Sequence, residues 1–204
     1  MNIIAYKIYD HCKRQDCLTH KQLGPSRVLS CHNKTLSECN IVRPPQRTAS
    51  ITIDDLKIRK IYVQKKRANT TKPGYWDISV GFVFEYLLTF WEVDGCAIST
   101  VAAGNIYSMK ATLHGSLGSG RQIATDFYLM DDSLVCDTAP FVLATANAVC
   151  LDAAIRRNEV RVKIGLFSVL KLLRFAELDV LSSGYCNPDD IVDWESFYSE
   201  LTSK

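Results

Sequence analysis

The chain has 204 residues, 47% hydrophobic and 23% charged, with a formal charge of +2. That composition excludes global disorder, and so small a net charge gives no basis for a nucleic-acid partner. The length suits a single domain, with or without an appended arm, and is enough to bury a substantial core. Local basic stretches exist, notably Lys57, Arg59, Lys60, Lys65, Lys66, Arg67 and Lys72, and read as the solvated polar faces of strands.

The start MNIIAYKIYDHCKRQDC lacks the basic segment and apolar run of about 7–15 residues that a secretory signal needs. The densest apolar stretch, residues 164–181, is interrupted by Lys171, Arg174, Glu177 and Asp179, so no membrane span is expected. The expected product is released into the cytoplasm of the cell that makes it. Residues 1–49 read as a Cys-rich N-terminal arm containing Leu23-Gly24-Pro25 and Arg43-Pro44-Pro45. Its one apolar segment is Ile3, Ile4, Tyr6, Ile8 and Tyr9.

From Ser50 the pattern turns to strands, opening a β domain over residues 50–186. Ile51 and Ile53 alternate, Leu56 and Ile58 follow in the opposite register, and Ile61 and Val63 switch back, which predicts turns or bulges. Residues 72–95 carry one long strand with Trp76, Ile78, Val80, Phe82, Phe84, Tyr86, Leu88 and Phe90 on one face. Trp76, Phe82, Phe84, Leu88 and Phe90 are expected in the core. The other face carries Val83, Leu87 and Trp91 and calls for a cover. Asp94-Gly95 predicts a two-residue hairpin turn into a strand over 97–113.

The run Gly115-Ser116-Leu117-Gly118-Ser119-Gly120 reads as a connection to a strand over 121–128. Residues 140–155 form a strand whose small face is Val142, Ala144, Ala146 and Ala148, and 156–159 turn the chain. A strand starts at Val160, and residues 166–175 fit either its continuation or an amphipathic helix. Residues 187–204 form a tail in which Asn187-Pro188-Asp189-Asp190 caps a short helix with Ile191, Trp194, Tyr198 and Leu201 on one face.

Catalysis finds little support. The glycine-rich run lacks the Gly-Lys-Ser/Thr ending of a phosphate loop, and no Gly-x-Ser-x-Gly elbow occurs. The pairs Asp54-Asp55, Asp131-Asp132 and Asp189-Asp190 lie at turns or a helix start, where acids act as caps. No catalytic, cofactor-binding or metal-ligating residue is assigned, and no enzyme is expected. In the arm, His11, Cys12, Cys17, His20, Cys31, His32 and Cys39 leave three readings open: a zinc site, disulfides, or plain thiols.

The runs Ser50 to Ile58, Lys72 to Val80, Phe84 to Phe90, Ala139 to Leu143 and Val162 to Leu172 resemble uncharacterised proteins of spore-forming clostridia. Those are similar to the SPOCS-type β-domains of spore coat and exosporium proteins. The resemblance spans most of residues 16–190 and is weakest in the cysteine-rich arm. It implies a structural, self-assembling protein made in the mother cell without a signal peptide and placed on the spore surface. Its partners would be further copies of itself and other spore-surface proteins.

The expected fold is therefore an antiparallel β-sandwich with long strands, an extended N-terminal arm and a short C-terminal helix. Arm exchange through Ile3, Ile4, Tyr6, Ile8 and Tyr9 would join subunits. Inter-subunit disulfides are expected from Cys12 and Cys17, then Cys31, Cys39 and Cys186, which lie in the arm or just before the terminal helix. A monomeric binding module with a pocket lined by Tyr75, Trp76 and Trp91 is the alternative, and a zinc-binding protein the third.

Overall fold

The computed structural model describes residues 2–29, 35–118, 122–124, 134–136 and 139–179. The predicted C-terminal helix, Cys31 and Cys186 lie outside them. The described chain is mostly β, in two antiparallel sheets packed against each other. Its elements are β1 (Asn2–Leu18), a single helical turn α1 (His20–Leu23), β2 (Arg27–Val28), β3 (Ser50–Ala68), β4 (Tyr75–Trp91), β5 (Ala97–His114), β6 (Gln122–Ala124), β7 (Leu134–Cys136), β8 (Phe141–Arg156) and β9 (Glu159–Asp179). Sheet A has the order β1-β9-β8 and sheet B the order β2-β5-β4-β3, while β6 and β7 pair separately. Residues 6–174 form one compact unit.

The core is the meeting of two central strands. From β4 it receives Trp76, Ile78, Val80, Phe82, Phe84, Tyr86, Leu88 and Phe90, and from β9 Val160, Val162, Ile164, Leu166, Leu170 and Leu172. Strict alternation in both strands sends every second side chain inward. The stretch 166–175 is thus strand. Its leucines favour a helix locally, but alternate positions bury against β4, and tertiary packing overrides propensity.

The frame switches in β3 are bulges. Its pairing with β4 shifts between Asp54 and Lys57, Ile58 and Lys60, and Val63 and Lys65. Each shift restores the inward face, so Ile51, Ile53, Ile58 and Ile61 stand opposite Phe90, Leu88, Phe84 and Phe82. Asp55 takes a φ of 52° at the first bulge. On β8 the predicted small face packs inward as Val142, Ala144, Ala146 and Ala148.

Turn chemistry sets the hairpins. Arg157 and Asn158 both have positive φ, 53° and 59°, making a two-residue turn whose twist suits β8 and β9. The Asp94-Gly95 connection is longer than a two-residue turn: β4 ends at Trp91 and β5 starts at Ala97. Glu92 N donates to Cys96 O at 2.9 Å, Gly95 takes φ 83°, and Asp94 Oδ1 accepts from Cys96 N at 2.9 Å.

The reading of residues 1–49 as an arm needs correction. β1 is a 17-residue edge strand of sheet A, and Leu18, Leu23 and Val42 join the core. The boundary at residue 50 therefore falls inside the compact unit. β1 escaped detection because Asp10, Arg14 and Asp16 interrupt its apolar pattern. They lie along the seam with β5, where side chains satisfy backbone groups that no strand pairs: Asp10 Oδ2 accepts from His114 N at 2.9 Å and Arg14 Nη1 donates to Lys110 O at 3.4 Å. At the opposite seam, Lys66 Nζ donates to Pro140 O at 2.7 Å.

Candidate assembly surface

The outward face of an antiparallel sheet is ordinarily polar. That of sheet A is not. Leu143, Val149 and Leu151 on β8 and Phe167 on β9 are 45%, 56%, 51% and 49% exposed. Val149, Leu151 and Phe167 group by register, since Val149 stands opposite Gly165 and Asn147 opposite Phe167, while Leu143 lies further along the face, opposite Lys171. Gly165 leaves a floor without a side chain, and a Cβ there would meet Val149 Cγ2 at 3.0 Å and Leu151 Cδ1 at 3.5 Å. The result is a depression of about 440 Å³ bounded by Gln15 and Cys17 of β1, Val149 and Leu151 of β8, and Phe167 of β9. Lys163 and Lys171 lie on the same face of β9, opposite Asp152 and Leu143.

The cysteines separate into different environments. Cys17 is an exposed free thiol at the rim of that depression, whereas Cys12 is half-buried against the core. Cys39 is buried, and its thiol donates to Thr35 O at 3.6 Å. Cys96 is exposed in the β4–β5 connection. Cys150 lies at the β8 bulge, and partial burial pushes its thiol above the ordinary value. The structure thus does not bring Cys12, Cys17 and Cys39 together as one site. Among the described residues, no group of three His, Cys, Asp or Glu side chains is placed to hold a metal ion.

In the predicted assembly segment, Ile3 and Ile4 belong to β1, Tyr6 and Ile8 are exposed, and Tyr9 is half-buried. Tyr6 meets Phe141 edge-on at 6.2 Å, and the Tyr9 ring lies 6.4 Å from that of His114. Among the described residues no helix is long and apolar enough to cross a membrane.

The predicted aromatic pocket does not form. Tyr75 and Trp76 begin β4 and Trp91 ends it, about 50 Å away at ~3.3 Å per residue. Trp76 is buried, its Nε1 donating to Ser116 O at 2.9 Å, and the Trp91 indole donates to Thr52 Oγ1 at 3.0 Å on the opposite face. Arg174 completes the Trp76 end: Nε donates to Gly115 O at 2.6 Å, Nη2 donates to Ser116 O at 2.9 Å, and the guanidinium lies 6.0 Å from the indole ring. Lys66 lies near enough for burial first, and the Arg174 charge second, to lower its pKa. These groups fasten the chain where it leaves β5.

A second polar cluster, invisible in sequence, sits inside the core. Asn105 Nδ2 donates to Leu23 O at 3.1 Å and Pro25 O at 3.2 Å, and Asn105 Oδ1 accepts from the Tyr86 hydroxyl. The single phenolic proton goes to that amide oxygen, so Ser26 Oγ, 2.7 Å away, donates to the phenol in turn. Burial pushes the Tyr86 phenol far above its ordinary range. Every donor in the cluster is spent on structure, which fits a clamp on residues 23–26 and supplies no reactive group. Comparison with known proteins returned no match to any family model, curated protein or solved structure.

Proposed function

We propose that this chain is a structural subunit that assembles with copies of itself on the spore surface, as the resemblance of its strand motifs to coat and exosporium β-domains suggests. The observation that carries the assembly reading is the apolar outward face of sheet A. Val149, Leu151 and Phe167 lie half-exposed around Gly165, where water would ordinarily meet polar residues, and Leu143 is exposed further along the same face. A second copy would cover that face. The cluster is contiguous and borders the exposed thiol of Cys17, so the same contact brings a cross-linkable group to the interface.

Strand exchange supplies the second link. In the described core β1 contributes Cys12 and Leu18, while Asp10, Arg14 and Asp16 make polar contacts at the seam. An edge strand pairs on one side only, so β1 can pair with a neighbour's β9 instead of its own. Disulfides from Cys17, with Cys12, Cys31, Cys39 and Cys186 as further candidates, would then lock the layer once oxidant reaches it. Their effect is kinetic: a cross-linked subunit cannot leave until the bond is reduced.

The test is electron microscopy of purified protein, followed by non-reducing electrophoresis of the fully dissolved assemblies. Ordered polymers, and a ladder that collapses on reduction to one 22.9 kDa band, are expected. Cys17→Ser should thin the ladder while leaving the polymers visible. Dispersed single particles would overturn the assembly reading. A single monomer band without reductant, from dissolved polymers, would remove the cross-link alone.

A further inference from the structure

The outward face of sheet B carries a charge arrangement that self-assembly does not use. Register across β3, β4 and β5 places Lys65, Ser79 and Lys110 in one row and Arg67, Asp77 and Thr112 in the next. These six side chains line a depression of about 300 Å³. Neighbouring strands lie about 4.8 Å apart, so the two lysine Cα atoms stand roughly 10 Å from each other with only a serine between them.

The charges there do not cancel. Asp77 Oδ1 accepts from Asn69 Nδ2 at 2.9 Å and Thr112 Oγ1 at 2.7 Å, and Asp77 Oδ2 lies 3.5 Å from Arg67 Nε. The one carboxylate in the depression is therefore fully engaged and offsets one cation. Lys65 and Lys110 are both exposed and have no carboxylate within ion-pair distance among the described residues. Elsewhere on β3 the pattern differs: Lys57 and Arg59 each lie 3.7 Å from a Glu85 oxygen. Lys60, further along the same face opposite Val83, has no carboxylate at that distance either, but its ammonium lies 5.5 Å from the Tyr62 ring, whereas Lys65 and Lys110 line a concavity.

We infer that this depression seats a small oxyanion, a carboxylate or phosphate group, between the ammonium groups of Lys65 and Lys110. The hydroxyls of Ser79 and Thr112 already donate to Gln64 Oε1 and Asp77 Oδ1, so they shape the floor and leave the binding to the cations. An anion seated between the two lysines gains two attractions and offsets the repulsion of bringing their ammonium groups together. Free phosphate and a carboxylate borne on an acidic polymer present the same chemistry.

Amide chemical shifts test the seat, followed while the full chain, kept monomeric by Val149→Glu and Phe167→Glu on the outward face of sheet A, is titrated with inorganic phosphate under reducing conditions. Saturable shifts centred on Lys65, Ser79, Lys110 and Thr112 are expected. Removing one lysine should weaken binding about fivefold, and the pair Lys65→Gln and Lys110→Gln about 25-fold, the loss of one or two charge contacts at ~4 Å in water. Lys57→Gln, whose partners are Asp55 and Glu85, should leave the affinity unchanged, and the spectra themselves report that each variant is folded. A parallel titration with poly-glutamate separates the sources: tighter binding at the same residues indicates a polymer-borne carboxylate, and equal binding per charge indicates a free anion. Shifts that never saturate, that spread evenly to Lys163 and Lys171, or that persist in the double variant would overturn the inference.

Discussion

Replacing Phe84 with Ala is expected to lower the unfolding free energy by about 3–5 kcal/mol, the cost of deleting a fully buried aromatic ring. Phe84 has no exposed surface, stands opposite Ile58 on one side and Asn105 on the other, and lies midway along the central strand. Little nearby can collapse into the void, because β4 is bound on both edges. Leu87, three residues on and facing outward, supplies the contrast, and Leu87→Ala should change stability by less than about 1 kcal/mol. Urea unfolding followed by tryptophan fluorescence measures both. Equal effects at the two positions would contradict the assigned faces of β4.

Asn105→Ala should cost about 3 kcal/mol, although it removes only a small polar side chain. The loss leaves the carbonyls of Leu23 and Pro25 without the amide donor, while the Tyr86 hydroxyl keeps only Ser26, and each unsatisfied buried group costs roughly 1–3 kcal/mol before relaxation. Tyr86→Phe alone should cost less, because the Asn105 amide keeps both carbonyls. The two changes act on one network, so the double variant should be less destabilised than their sum by about 1 kcal/mol or more. Chemical denaturation of the four proteins of that cycle gives the coupling directly. Strict additivity would show that the clamp on residues 23–26 does not work through this pair.

What the sequence revealed depended on how far each pattern reached along the chain. β4 was legible because its inward face alternates without interruption from Trp76 to Phe90, and β3 because its frame switches mark its bulges. β9 stayed ambiguous between strand and helix, since what decides it is burial against a strand some eighty residues away. β1 was hidden for a different reason. A seam strand spends inward positions on Asp10, Arg14 and Asp16, which sequence periodicity scores as loop, although Asp10 and Arg14 reach the backbone of β5. The aromatic pocket failed because closeness in sequence type carries no information about opposite ends of one strand. The outward patch on sheet A needed the register of β8 with β9, and Asn105 needed contacts about eighty residues away, so neither had a local signature.

The central claim is that the outward face of sheet A joins copies of this chain. Sedimentation velocity under reducing conditions, comparing the natural protein with the double variant Val149→Glu and Phe167→Glu, tests it most directly. Both residues are about half-exposed, so the variant should keep its thermal unfolding temperature to within a few degrees. The natural protein should sediment as large species whose size grows with concentration, and the variant as a monomer of 22.9 kDa. A natural protein that stays monomeric as its concentration rises, or a variant that assembles as the natural protein does, would contradict the claim.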